Sequence, residues 1–103
     1  MSNIVFTPPS EYDLIDIELY IGKRLQNPNA AIRIVDGIIA LAEDLAFFPR
    51  KHHYVNDPFL ARIQIRMTYF ENYNIFYVYD EPKDTAYILR VLYNRADWQN
   101  LLK

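Results

Sequence analysis

The sequence predicts an α+β domain of two layers, in which an N-terminal strand and an antiparallel helical hairpin pack on an antiparallel sheet of about four strands, followed by a short C-terminal helix. Apolar residues recur at helical spacing across residues 8–45 and at strand spacing in one early and three later segments. Each element is apolar mainly on one side, so the helices must cover a face of the sheet. The 103 residues suffice for one hydrophobic core, and we expect a single domain over residues 1–103.

The first strand is predicted at residues 3–6, where "NIVF" precedes "TPP". Thr7 is a typical N-cap with Pro8 at the first helical position, so a helix is predicted from Pro8 to Leu25. Its apolar stripe consists of Leu14, Ile17, Ile21 and Leu25. Its carboxylates are Glu11, Asp13, Asp16 and Glu18. We interpret these carboxylates as solvated groups matched to the helix dipole, rather than as an acid/base pair.

The second helix is predicted to begin after Asn27 and Pro28, which repeat the cap-then-proline signal, and to end before Pro49. Its apolar stripe consists of Ala31, Ile34, Ile38, Leu41 and Leu45. The connection between the two helices is so short that they must pack as an antiparallel hairpin.

Three strands are predicted after a basic loop at residues 49–58, and they form an antiparallel meander whose edge the first strand joins. The predicted strands are Ala61 to Thr68, Tyr73 to Tyr79 and Thr85 to Tyr93. The last strand is apolar on both faces, so it either lies centrally or has a second covering. Only the terminal segment 95–103 remains to provide that covering, as a short helix with Trp98, Leu101 and Leu102 on one side.

The predicted strand at residues 61–68 carries polar side chains opposite its isoleucines. Arg62, Gln64 and Arg66 alternate with Ile63 and Ile65, so the polar residues are predicted to share the outward face. That face is solvated, bound in salt bridges to the terminal helix, in contact with a partner, or engaged with phosphate.

Composition excludes several classes of function. The chain has no cysteine, so it cannot hold a disulfide or a thiolate metal site. Adjacent His52 and His53 have poor geometry for one metal, and we expect no metal and no cofactor. The net charge of −2 argues against non-specific binding to phosphate backbones. The lack of a leader or a long apolar span predicts a cytoplasmic protein without a membrane contact.

Four segments together resemble the RelE/ParE superfamily of toxins from bacterial type II toxin-antitoxin systems. They are "VFTPPSEYDLIDIELYI", "DLAFFPR", "NYNIFYVYDE" and "ILRVLYNRADWQNLL", in the family's order and over nearly the whole chain. The resemblance is closer to the ParE side. It implies a growth-inhibiting toxin of the plasmid-stabilisation type, neutralised by a cognate antitoxin and brought to operator DNA only through that antitoxin.

The superfamily has two branches, and the resemblance favours inhibition of DNA gyrase by binding. The alternative is a ribosome-dependent mRNA endonuclease without a metal, for which the resemblance implies a set containing Arg62, Arg66, Tyr93 and Arg95. That set is incomplete, because Gln64 and Asn74 stand where further basic residues are common. A third possibility is a non-toxic chain that only binds an antitoxin.

Residues expected to contact the antitoxin or the target are Arg62, Gln64, Arg66, Arg90 and Trp98. Trp98 has an alternative interpretation as an anchor for the terminal helix.

Overall fold

The computed structural model describes residues 1–102 as a four-stranded sheet with helices on both faces. The strands are β1 (Asn3–Phe6), β2 (Arg66–Phe70), β3 (Tyr73–Asp80) and β4 (Thr85–Tyr93). The helices are α1 (Pro8–Leu19), α2 (Pro28–Asp44), α3 (Pro58–Arg62) and α4 (Trp98–Leu102), and a π-helical turn (Tyr20–Arg24) continues α1. Lys103, the last residue of the predicted terminal helix, lies outside the described residues.

The sheet has the strand order β1-β4-β3-β2 and is mixed, rather than antiparallel as predicted. Strands β2, β3 and β4 form the predicted antiparallel meander. β1 lies at the predicted edge but runs parallel to β4, with Asn3 opposite Thr85 and Phe6 opposite Ile88. From β1 the chain passes through the helices to β2 at the opposite edge and then returns through β3 to β4, which lies beside β1 and runs in the same direction. A parallel pair requires this kind of long crossover.

The helical hairpin forms as predicted. The side chain of Thr7 accepts the N–H of Ser10 at the start of α1, and the side chain of Asn27 accepts the N–H of Ala30 at the start of α2. The helices approach closely where Gly22 faces Ala31, since a Cβ on the glycine would lie 3.5 Å from that of the alanine. Further along α2, Gly37 leaves room for the ring of Phe70 from β2.

The predicted strand from Ala61 to Thr68 is wrong. Asp57 caps α3 by accepting the N–H groups of Phe59 and Leu60, so residues 58–62 are helical. Gln64 then has a φ of 66°, and the strand begins only at Arg66. Alternation of apolar and polar residues over 61–66 reflects a helix end and a turn, not a pleat.

Hydrophobic clusters cover both faces of the sheet. On the hairpin side, the buried residues are Ile17, Ile21, Ala31, Ile38, Ala42, Leu45, Tyr73, Ile75, Tyr77, Ala86, Ile88 and Val91. On the other face, which we call the far side, they are Val55, Leu60, Ile65, Phe76 and Leu92, with Trp98 and Leu102 packed against them.

The second covering of β4 therefore exists, and β4 is also central in the sheet. The expectation that only the terminal helix supplies the covering is wrong, because α3 and its flanking residues contribute Val55, Leu60 and Ile65. Leu101 stays exposed, so the terminal helix packs mainly through Trp98 and Leu102. Among the described residues, no helix combines the length and apolarity needed to cross a bilayer.

Candidate functional site

Arg66 is the first residue of β2, and its side chain forms hydrogen bonds that hold the loop after α2. Its Nη1 donates to the carbonyl oxygen of His52 at 2.7 Å and to that of Arg50 at 3.3 Å. Its Nη2 donates to the hydroxyl of Tyr54 at 3.3 Å, and its guanidinium lies 4.3 Å from the centre of the Tyr54 ring. A cation–π contact combined with several N–H donors from one planar group is an arrangement that arginine supports and lysine does not.

A polar groove of about 450 Å³ surrounds this arginine, and we call it the arginine groove. Its lining residues are Arg50, Tyr54, Gln64, Arg66, Tyr79, Asp80, Glu81 and Pro82. Arg50 forms an ion pair with Glu81, which raises the pKa of the Arg50 guanidinium through a hydrogen bond, and lies 5.4 Å from the centre of the Tyr79 ring. Two cations thus face two carboxylates, a balance that suits a polar protein segment better than a phosphate.

The arginine groove brings together Gln64 and Arg66, but Arg62 does not lie on a strand face with them. Arg62 ends α3 and is exposed to solvent. The prediction that these three residues share one outward strand face is therefore wrong, because only Arg66 belongs to a strand.

Tyr93 and Arg95, the remaining candidates for RNA cleavage, lie at the opposite end of the sheet from Arg66. In the strand register Arg66 stands opposite Tyr77, whereas Tyr93 stands opposite Tyr73. Four residues of β3 separate these positions, which corresponds to about 13 Å along the strand, and Arg66 and Tyr93 also lie on strands that flank β3 from different sides. Arg95 follows in the exposed turn after β4.

Tyr93 makes an edge-to-face contact with Tyr73, with ring centres 5.7 Å apart. A metal-free ribonuclease needs an acid and a base on either side of one phosphate. Arg66 and Tyr93 lie too far apart along the sheet to flank one phosphate in this way.

Arg90 is bound inside the fold. Its Nε and Nη2 donate to the two carboxylate oxygens of Asp13 at 2.7 and 2.8 Å, and the hydrogen bond raises the pKa of the Arg90 guanidinium. The N–H of Val91 donates to the same carboxylate at 2.9 Å. Because β1 pairs with β4 only as far as Ile88, the carboxylate takes the place of a strand partner beyond that residue.

Asp13 is only 9% exposed, so its interpretation as a solvated carboxylate is wrong. The sequence did carry a signal for this role. Asp13 stands three residues after Ser10 and four before Ile17, which places it on the buried stripe of α1.

Trp98 packs on the far side, where its ring centre lies 5.4 Å from that of Phe76. It is half-buried and holds α4 against the sheet. This contact agrees with the interpretation of Trp98 as an anchor for the terminal helix.

His52 is half-buried beside Tyr77, with the two rings edge to face at 6.3 Å. Burial lowers the pKa of His52, and the positive charges of Lys51, His53 and Arg66 lower it further. Burial also raises the pKa of the enclosed Tyr77 phenol. Within residues 1–102, no group of histidine, aspartate and glutamate side chains could hold a metal ion.

A second groove, of about 770 Å³, opens where the end of α1 and the start of α2 meet the last residues of β4, and we call it the hairpin-end groove. Its apolar walls include Ile17, Ile21, Leu25, Ile34 and Leu92, and its polar lining includes Asp13, Asp16, Tyr20, Asn27, Asn72, Tyr73 and Tyr93. Burial raises the pKa of the Tyr73 phenol. No local pattern in the sequence indicates this groove, because its walls come from segments far apart in the chain.

Comparison with known proteins agrees with the fold. A family model described as the ParE toxin of the type II toxin-antitoxin system, parDE, matches residues 4–98. A chain from the chromosomal ParDE system of P. aeruginosa has a TM-score of 0.74 and 18% identity, covering 90% of this chain and 96% of that chain. A chain from the RelBE2 toxin-antitoxin complex of Mycobacterium tuberculosis has a TM-score of 0.65 and 23% identity, covering 93% of each chain. No curated protein matches the sequence significantly.

Proposed function

The chain belongs to the ParE toxin family of type II toxin-antitoxin systems, and on that premise we propose that it is a toxin that a cognate antitoxin neutralises and that inhibits DNA gyrase by binding. We favour binding over RNA cleavage because Arg66 and Tyr93, two of the candidate cleavage residues, lie far apart on the sheet. Arg66 is engaged with backbone carbonyls and with Tyr54, and about 13 Å of strand separates its position from that of Tyr93.

The charge of the chain supports the same preference. A ribosome-seeking ribonuclease must approach a surface of RNA phosphates, whereas this chain has a net charge of −2. The two arginines of the arginine groove face Asp80 and Glu81, so the groove adds little positive potential.

A cognate antitoxin is the second part of the proposal. The similar P. aeruginosa and M. tuberculosis chains come from toxin-antitoxin systems, and the M. tuberculosis structure is a complex. The hairpin-end groove offers apolar walls for a partner's side chains, and the arginine groove offers hydrogen-bonding groups. We keep Arg62, Gln64 and Arg66 as proposed contacts. Arg90 and Trp98 are left out, since Arg90 is paired with the buried Asp13 and Trp98 packs in the far-side hydrophobic cluster.

The target is tested with purified, antitoxin-free protein in two parallel assays. In a gyrase supercoiling assay we expect inhibition or a trapped cleavage complex. In a ribosome-programmed assay we expect intact mRNA in the A site. Cut mRNA, with the cut abolished by Arg66→Ala or Arg95→Ala, would replace the proposal with the ribonuclease alternative.

The antitoxin contact is tested separately, by binding of the co-encoded antitoxin to Arg66→Ala and to Arg33→Ala. Arg33 is a matched control because it is an exposed arginine in a surface ion pair with Glu71, away from the arginine groove. We expect weaker binding for Arg66→Ala only. A chain that binds antitoxin but responds in neither toxicity assay would be the non-toxic binding protein instead.

A further inference from the structure

The outward face of α1 carries apolar side chains where a surface helix normally carries polar ones. Tyr12, Ile15 and Leu19 recur at i, i+3 and i+7, and their exposed fractions are 68%, 51% and 47%. The buried residues of α1, including Ser10 and Ile17, lie on the opposite side of the helix. α1 is therefore apolar on two faces, of which only one packs against the sheet.

The exposed stripe is about 10 Å long, given the rise of an α-helix over seven residues. On the neighbouring helix, Ile32 is 56% exposed and directly follows Ala31, the residue that touches Gly22. Tyr12, Ile15 and Leu19 line neither groove, and the face borders the hairpin-end groove at Asp16, which lines it.

Carboxylates flank the stripe. Glu11, Asp16 and Glu18 are all exposed, and none of them forms an ion pair with a cation in the part of the chain that the structure describes. α1 itself has no lysine or arginine, and Lys23 and Arg24 follow only in the π-helical turn. The surface thus combines an apolar line with negative charge along its sides.

We propose that this face docks a basic amphipathic helix of a protein partner. Apolar positions at i, i+3 or i+4 and i+7 on the partner would match the line of Tyr12, Ile15 and Leu19, and lysines or arginines beside them would meet the three carboxylates. The inference does not depend on gyrase being the target, because it rests on this surface alone.

A second copy of the chain fits this face less well. A twofold contact between two α1 helices would bring Glu11, Asp16 and Glu18 of both copies into one interface, where like charges repel. An anionic membrane surface is disfavoured by the same charges. Charge complementarity therefore selects the basic helix among the possible occupants.

The test uses a synthetic amphipathic helix with leucines at i, i+3, i+4 and i+7 and lysines beside them, and the same peptide with glutamates in place of the lysines. We expect the lysine peptide to bind the full chain, with affinity falling as salt rises, and the glutamate peptide not to bind. Equal binding of both peptides, or binding of neither, would overturn the proposal.

Two variants locate the binding. The double variant Tyr12→Ser with Leu19→Ser should weaken binding of the lysine peptide by about tenfold or more, as expected for loss of apolar anchors. Phe59→Ser is the matched control, since Phe59 is a 50% exposed aromatic residue on α3, and it should bind the peptide like the parent protein. Circular dichroism and thermal unfolding establish that both variants are folded.

Charge reversal gives an independent readout. Glu11→Lys with Glu18→Lys should abolish binding of the lysine peptide and create binding of the glutamate peptide. Self-association or binding to zwitterionic vesicles that the serine double variant removes would assign the face to a second copy or to lipid, and would refute the basic-helix proposal.

Discussion

The two sides of the sheet are covered in different ways. The hairpin side is covered by α1 and α2, long helices whose apolar stripes repeat every three or four residues. The far side is covered by two five-residue helices and by Val55 and Ile65 from the segments that flank α3. Long periodic segments can be recognised from sequence, whereas a covering assembled from short pieces shows no period to recognise.

The two coverings are also expected to differ in local stability. A helix as short as α3 gains almost nothing from intrinsic propensity and depends on its tertiary contacts. We therefore expect the far side to open locally at a lower free-energy cost than the hairpin side.

The largest expected effect comes from truncating one fully buried side chain in each of the two hydrophobic clusters. Ile38 and Leu60 are each 0% exposed, one on each side of the sheet. Ile38→Ala should lower the free energy of unfolding toward the upper end of about 2–5 kcal/mol, because long helices cannot move into the cavity. Leu60→Ala should fall toward the lower end of that range, because α3 can shift to fill the space. Urea unfolding of both variants measures the difference.

Two outcomes would contradict this difference between the two sides of the sheet. A loss below about 0.5 kcal/mol for Ile38→Ala would mean that the α2 stripe does not pack on the sheet. An equal loss for both variants would mean that the far side is as rigid as the hairpin side. Amide hydrogen exchange sharpens the distinction, because local opening of α3 should increase exchange near residues 58–62 without affecting β4.

The next effect concerns a polar contact that pins the hairpin side to the sheet. Asp13→Ala removes the carboxylate that binds Arg90 and the Val91 N–H. The Arg90 side chain is 26% exposed. Because that exposure lets water reach the charge, we expect a loss of about 3 kcal/mol, the lower end for breaking a buried pair. Thermal or urea unfolding provides the measurement.

Asp16→Ala is the matched control, since Asp16 is an exposed carboxylate on the same helix. It should change the free energy of unfolding by less than about 0.5 kcal/mol. If the two variants lose similar stability, the carboxylates of α1 act through the helix dipole, as the sequence interpretation held, and not through Arg90.

Several features of the fold could be predicted because local chemistry determines them. Thr7-Pro8 and Asn27-Pro28 predict the observed helix starts, and the predicted last strand, Thr85–Tyr93, has the observed bounds. Asp57-Pro58 repeats the same cap-then-proline signal and does begin α3. The alternation around Ile63 and Ile65 nevertheless resembles a strand, and a five-residue helix is too short to show a period.

The candidate site was less accessible to sequence reasoning. Asp13 and Arg90 are 77 residues apart, and the loop that Arg66 fastens lies 14 residues before it, so no local pattern links the partners. The hairpin-end groove likewise joins the end of α1 to the end of β4. Such contacts depend on strand order and register, which the spacing of apolar residues does not specify.

The smallest expected effect is a pH dependence at His52, in the loop that carries the chain from α2 toward the far side. The pKa of His52 is lowered from its ordinary value of 6.5, chiefly by burial, so the unfolded chain takes up a proton at a higher pH than the folded chain. Stability from this group is therefore fully present above pH 6.5 and is lost as the pH falls from there toward the lowered pKa of the folded state.

His52→Gln should remove that loss, giving a flatter curve of unfolding free energy between about pH 5 and 7, while the carboxylate-dependent loss at lower pH stays as in the parent protein. Urea titrations of both proteins across this range measure the two slopes. Identical slopes would mean that folding does not bury the imidazole enough to lower its pKa, and the loop around His52 would then be more open than the structure shows.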